Sequence, residues 1–329
     1  MSSEALRQAQ DIALTLYVPL ALGYLLQKLR IIGTAWTRPA MLWLMMLVEP
    51  PIIMYSLWIL RTGDVAVGQS FFAGVGSIML AAAMIATVMV FVGRLASQPF
   101  HHDARTRGAF IASAVFSNNG FTLGVFVCLL FLGIRGQSIG LVYATYFLPY
   151  FVTVGFALGR RYGGTAKLTF RRQLVNIFTQ PMSVLPLAGF ALGLLLHTVA
   201  PPPHSGILPI NKIVVHLEVA TYAFAIGCTL SLRSVRKYWK ECAALCGMKF
   251  LVMPVVGLGV VFVLRNFGIL GPEPILRKVF LIQTCMPAAI MSVVLARLFH
   301  LNEDLASSCW VVTTVASAAV LPVIYLLIA

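Results

Sequence analysis

Long apolar runs, joined by short stretches that hold most of the Lys and Arg, recur along the whole chain. A helix needs about 20 mostly apolar residues to cross a bilayer. Ten runs meet that length, at residues 11–28, 38–60, 70–93, 108–132, 138–159, 180–199, 212–231, 242–264, 277–297 and 305–328. The expectation is an all-α membrane protein of ten transmembrane helices. The first run has neither a cationic stretch ahead of it nor a small-residue cleavage site, so it reads as a retained helix.

The pattern repeats within itself. "YVPLALGYLLQ" in the first span resembles "VLPLAGFALGL" in the sixth, which sets Pro19 on Pro186 at an offset of 167. "RGAFIASAVFSNNG" overlays "RKVFLIQTCMPAAI" at an offset of 170, with Ser117 on Pro287, and Pro149 falls near Pro322. Five spans per copy oblige the second copy to enter from the opposite side, giving two inverted repeats, residues 1–173 and 174–329. The joints at residues 160–173 and 200–211 leave no room for a further domain.

Two places resist the membrane pattern. "FSNNGFTLG" at residues 116–124 puts Ser117, Asn118, Asn119 and Gly120 together inside the fourth span. Asn side chains compete for backbone hydrogen bonds, and Gly costs about 1 kcal/mol relative to Ala in a helix. In the ninth span Pro287 cannot donate and leaves the Gln283 carbonyl without its usual partner. Irregular backbone at membrane depth is tolerated only where protein buries it or where it lines a wet cavity. Two matching breaks therefore predict a site near the midplane. Half-helices starting at about Gly120 and Ala288 would turn unpaired N–H groups toward it, with Ser117, Asn118, Asn119 and Thr284 adding donors, an arrangement suited to a carboxylate. Taken alone, Gly120 and Gly124 also fit a G-x-x-x-G packing notch. "GFALG", at residues 155–159 and again at 189–193, is read as a helix contact.

Charges inside spans come next, because each is costly there unless paired or hydrated. Glu49 lies 11 residues after Arg38, near mid-membrane, and Pro50 and Pro51 release the carbonyls of Met46 and Leu47 beside it. Glu218 follows Glu49 by 169 residues, the repeat offset, and lies shallower by these boundaries. Both are candidate proton carriers; the alternative is a structural carboxyl, neutral or paired with Lys249. Lys249 stands about 8 residues into the eighth span, and its stem is expected to snorkel back to the cytoplasmic surface. The other reading of Lys249 is a cation that attracts substrate or neutralises a glutamate.

Composition and charge narrow the class. The 329 residues are 60% hydrophobic and 10% charged, with a mean hydropathy of +0.91, well above a water-soluble domain. The net charge of +14 does not imply nucleic acid, because it is sorted by loop: 16 Lys and Arg lie in one set of alternating joints and 7 in the other. Basic loops accumulate on the cytoplasmic side, which turns both termini outward. Cys128, Cys228, Cys242, Cys246, Cys285 and Cys309 all fall in spans without a C-x-x-C pair, and are read as small apolar residues with neither disulfide nor metal. "HHDAR" at residues 101–105 is read as a hydrated loop, and the five Trp as mostly interfacial. Asp11, Asp64, Asp103 and Asp304 are scattered outside span interiors, so neither an intramembrane enzyme nor a cofactor is expected. A receptor would need a signalling domain that the joints cannot hold.

Residues 116–124, followed by "QTCMPAAIMSVVLARLFHLNEDLASSCWVVTTVASAAVLPVIYLL", resemble the auxin efflux carrier family and its bacterial permease relatives. "PLALGYLLQKLRI" is similar to that family's first helix and "IGCTLSL" to its seventh; Met286, Pro287 and Ala288 carry the most specific likeness. The resemblance implies a scaffold of spans 1, 2, 6 and 7, a moving transport domain of spans 3–5 and 8–10 that crosses at the broken helices, and a homodimer formed through the scaffold. It also implies an organic anion as substrate. The wider group includes the bile acid and sodium symporters. This chain departs from the family where Val125 follows Gly124 without the usual Pro, and Gln283 is the nearest polar substitute for an acid in the ninth span. The expected function is secondary transport of a small organic anion in the cell membrane, driven by potential or coupled to protons through Glu49. Sodium coupling of the bile acid type is the alternative.

Overall fold

The computed structural model describes residues 3–60, 70–164, 181–203, 206–229 and 234–328, with Val175 and Thr179. Of the loop charges counted above, Arg61, Lys167, Arg171, Arg172 and Arg233 lie outside the described residues, as do Asp64 and the end of "IGCTLSL".

Every named element is helical. In chain order they are α1 (Ser3–Ile12), α2 (Val18–Lys28), α3 (Thr37–Trp43), α4 (Glu49–Trp58), α5 (Phe71–Ala96), α6 (Ala104–Val115), α7 (Gly124–Ala144), α8 (Phe147–Tyr150) and α9 (Phe156–Gly163). There follow α10 (Pro181–Val199), α11 (Ile207–Thr229), α12 (Trp239–Gly247), α13 (Met253–Asn266), α14 (Pro274–Thr284), α15 (Met291–Leu298) and α16 (Glu303–Ile328).

Among the described residues six helices are long and apolar enough to cross a membrane: Pro39–Trp58, Phe71–Phe100, Gly124–Gly163, Ile207–Thr229, Trp239–Asn266 and Glu303–Ile328. The remaining expected spans fall short for local reasons. The ends of α6 and α14 are interruptions, and the apolar part of the sixth span, Val184–Val199, is brief. The joint expected between spans four and five is a kink at Gly133, whose φ of 68° is left-handed, inside α7.

Proline shapes several helices in one way. Five-residue π-helical turns, Ala13–Tyr17, Leu44–Val48 and Met248–Val252, each end one residue before the segment Val18-Pro19, Glu49-Pro50 or Met253-Pro254. A proline ring displaces the carbonyl four residues back and offers it no N–H. The wider turn absorbs that loss by letting the residue before proline bond five back, as Glu49 N–H does to Leu44 O.

The chain divides into two compact units. The first comprises residues 1–61, 120–141 and 170–230. Within it α2 packs along α11, and α4 along α10. Glycines set these contacts: a Cβ on Gly189 would lie 2.5 Å from the Pro50 carbonyl and one on Gly193 2.8 Å from that of Met54, while Gly23 and Gly227 abut the Phe224 and Leu20 carbonyls. The second "GFALG" is thus a helix contact, as its spacing predicted.

The second unit comprises residues 62–119, 142–169 and 231–329. Its core runs along α5 and α6, where Ile78, Ala81, Ala82, Ile85, Ala109, Phe110, Ile111 and Ala112 are all fully buried. The first "GFALG" also serves packing: a Cβ on Gly155 would lie 3.0 Å from the Phe116 ring, and one on Gly159 would run into Phe299. Apolar side chains of α13 and the turn before it point outward instead, Leu251 and Val255 each 70% exposed and Phe262 67%, as lipid contact requires.

Candidate functional site

Helix α6 stops because Phe116 turns extended, with φ −85° and ψ 120°. Its ring fixes it there, fully buried against Phe151 at 5.2 Å, Phe147 at 5.6 Å and Tyr150 at 6.4 Å. Helix α14 stops at Thr284, and α15 does not begin until Met291. The two interruptions meet inside the second unit. Ser117 and Ala288 oppose each other as an antiparallel bridge. Asn118 N–H donates to the Pro287 carbonyl at 2.8 Å, and Ala289 N–H to the Phe116 carbonyl at 2.9 Å. Backbone that would be orphaned in a membrane interior is thereby paired across the breaks.

Lys249 completes this junction. It lies on the π-helical turn before Pro254 and is fully buried. Its Nζ donates to Ser117 Oγ at 2.7 Å and to the Phe116 carbonyl at 3.2 Å, with Met253 Sδ at 3.9 Å. Snorkelling is therefore corrected: the stem runs inward because the break supplies acceptors that a continuous helix would have withheld. Among the described residues no carboxylate lies within ion-pair distance of it.

Asn119 is 1% exposed, and neither atom of its side-chain amide has a hydrogen-bond partner. Tyr146 is 3% exposed, and its hydroxyl faces that amide without closing a full hydrogen bond. Asn119 and Tyr146 thus leave buried polar capacity unused in one place, which is uncommon in a folded interior.

Other expected site residues fall differently. The Thr284 hydroxyl, expected to face the site as a donor, is spent on its own helix, donating to the Phe280 carbonyl at 2.7 Å. The amide at Ala288 is likewise used, donating to Thr313 Oγ1 at 3.1 Å. The Ala289 amide is used as well, so both amides at this break are engaged within the junction. Met286 and Pro287 are buried in the junction, Gln283 is buried at the end of α14, and Asn118 is half-buried. Gly120 belongs to the first unit; its φ is ordinary and a Cβ there would meet nothing within 4 Å. The half-helix expected from about Gly120 begins at Gly124.

Glu49 and Glu218 also belong to the first unit. Tyr222 donates its hydroxyl to Glu49 Oε1 at 2.7 Å. Glu218, expected to be the shallower, is 1% exposed with no hydrogen bond to either carboxyl oxygen, while Glu49 is half-buried. Two features of these units carried no sequence signal. One is a buried relay in which Gln137 Nε2 donates to Ser56 Oγ at 2.9 Å and Asn211 Nδ2 to Gln137 Oε1 at 3.1 Å. The other lies in the "HHDAR" loop, which is largely exposed as expected: His102 Nε2 lies 2.9 Å from Glu241 Oε1, and Thr106 bonds the Asp103 carboxyl, holding it below the usual carboxylate range.

Comparison with known proteins finds relatives among membrane transport proteins. Residues 172–325 match the family described as membrane transport protein. The chain is 24% identical over 322 residues, 95% of its length and 96% of the relative's, to an uncharacterized transporter of Methanothermobacter thermautotrophicus. Over 76 residues, 23% of this chain and 19% of the relative, it is 33% identical to Protein PIN-LIKES 7 of Arabidopsis thaliana.

Proposed function

Because the chain belongs to the auxin efflux carrier family of membrane transport proteins, we propose that it is a secondary transporter of small organic anions whose carboxylate binds at the paired helix breaks. One observation carries this reading. Lys249, a buried amine with no carboxylate within ion-pair distance among the described residues, is bonded to Ser117, two residues from the buried and unpartnered amide of Asn119. A carboxylate supplies what both lack, a negative charge and hydrogen-bond acceptors. The Tyr146 hydroxyl and the start of α15 border the same junction and add donors.

In this reading the ten spans form two inverted five-helix repeats. The bridge of Ser117 with Ala288, an offset of 171, supports it, since a two-fold axis through the junction exchanges those two positions. The pairing of α2 with α11 and of α4 with α10 supports it too, because exchanging the repeats converts one pair into the other. The unit that holds the junction shifts against a scaffold of spans 1, 2, 6 and 7 to change the side to which the substrate is exposed. Both termini face outward in the cell membrane, and two copies associate through the scaffold.

Among the described residues no carboxylate bonds to the junction, whose titratable side chain is Lys249, so sodium coupling gains no support there. The reading is tested with purified protein in proteoliposomes offered a panel of labelled mono- and dicarboxylates. At least one should accumulate in sodium-free buffer. Uptake confined to neutral or cationic solutes would sink the assignment.

A further inference from the structure

The acceptors around Lys249, namely the Phe116 carbonyl, Ser117 Oγ and Met253 Sδ, are all neutral. Its own helix α12 carries Lys240, Glu241, Cys242 and Cys246; Glu241 lies two turns back, about 12 Å along the axis. Arg265 ends α13, and α14 opens with Arg277 and Lys278 and is followed by Cys285. Arg94 closes α5, and Arg105 and Arg107 open α6. Helix α16 opens with Glu303 and Asp304 and carries Cys309 and Tyr325. Of these carboxylates, Glu241 contacts His102 and Glu303 contacts Arg297.

Burying an ammonium without a counter-charge is far more costly than burying a neutral amine. The junction suits both forms. Ser117 is a hydroxyl, so it accepts from an ammonium and donates to an amine, and Met253 Sδ, 3.4 Å from Ser117 Oγ, takes the hydroxyl proton while the ammonium is present. A carboxylate at Asn119 would supply the counter-charge that the ammonium form lacks.

Resting on the anion site proposed above, we propose that Lys249 is the coupling group, taking up one proton as the anion binds and releasing it as the anion leaves. On the loading side a carboxylate enters and a proton from water forms the fourth bond to nitrogen. On the release side that N–H bond breaks, and proton and carboxylate return to water together. One negative and one positive charge cross per cycle, so transport of a monocarboxylate moves no net charge. Glu49, held by Tyr222 in the first unit, has no part in the step.

The test uses proteoliposomes, a transported monocarboxylate and a membrane potential clamped at zero. A pH step of one unit, alkaline inside, should drive about tenfold accumulation, because one unit of proton gradient is a factor of ten in equilibrium. No transport current should accompany it. Lys249→Arg keeps a charge that is never lost. That variant should exchange labelled for unlabelled anion yet lose pH-driven accumulation. If wild-type protein moves the anion with a current and ignores the pH step, or if Lys249→Arg accumulates as wild type does, the coupling proposal fails and the anion site stands. If wild-type protein neither takes up nor exchanges any carboxylate, both fall. The wild-type current and pH response decide the matter even where the variant does not fold.

Discussion

At the first break the chain leaves its helix with three consecutive polar residues, Ser117, Asn118 and Asn119; at the second it does so with Pro287, Ala288 and Ala289, which have no polar side chain at all. The second therefore engages its surroundings through backbone, accepting at the Pro287 carbonyl and donating from Ala288 and Ala289. It closes the junction and leaves the side chains of the first for other work. Lys249 sharpens the contrast, since of the two breaks it bonds to the first, at Phe116 and Ser117. By the repeat offset of 170 its counterpart is Met79, so the cation exists in one copy only. In the reading proposed above the site is asymmetric, with the second break closing the junction and the first left to bind.

The largest loss of stability should follow Phe116→Ala. The ring is fully buried among Phe147, Tyr150 and Phe151 and is what keeps the first break extended. Truncating a packed Phe costs about 3–5 kcal/mol. Thermal unfolding in detergent should show a drop of that order; a shift no greater than that of an exposed substitution such as Phe262→Ala would mean that the break holds itself open without the ring.

Thr313→Val tests the second break. It removes the Oγ1 that accepts from Ala288 N–H at 3.1 Å while preserving shape. A buried N–H left unpaired costs about 1–3 kcal/mol. Thr313→Ser should restore most of the stability, because it returns the oxygen; equal melting of Val and Ser variants would show that the amide finds another acceptor.

These two tests bear on features of unequal legibility. That helices would break at 116–124 and near Pro287 was readable, because Asn, Gly and Pro are poor helix formers and the repeat offset aligns them. How the breaks are held was not. Phe116 looks like any apolar residue of a span, and its ring partners lie 31 to 35 positions away in the chain. Thr284 reads as a pocket donor until its hydroxyl is seen bonded to its own helix. Lys249 misled for a related reason: from its place in a span a long cationic stem should reach for water, and only tertiary structure reveals acceptors inward. The π-helical turns before Pro19, Pro50 and Pro254 were not legible, because Pro186 and Pro322 sit inside α-helices without one.

The smallest effect on stability and a large one on transport should come from Asn119→Ala. Its backbone N–H donates to the Ser117 carbonyl at 2.9 Å, and alanine keeps that bond. The side-chain amide bonds to nothing and is 1% exposed, so removing it discards desolvated polar groups rather than contacts. Replacing unsatisfied buried groups by apolar ones is close to neutral, and unfolding should shift by no more than about 0.5 kcal/mol. Transport tells the other half. If the amide donates to a carboxylate, its loss removes a hydrogen bond to a charged group, about 1.5–3 kcal/mol, and uptake at limiting substrate should fall roughly 10- to 150-fold. A variant that melts like wild type and transports like wild type would strip the first break of its binding role and leave it, like the second, a piece of packing.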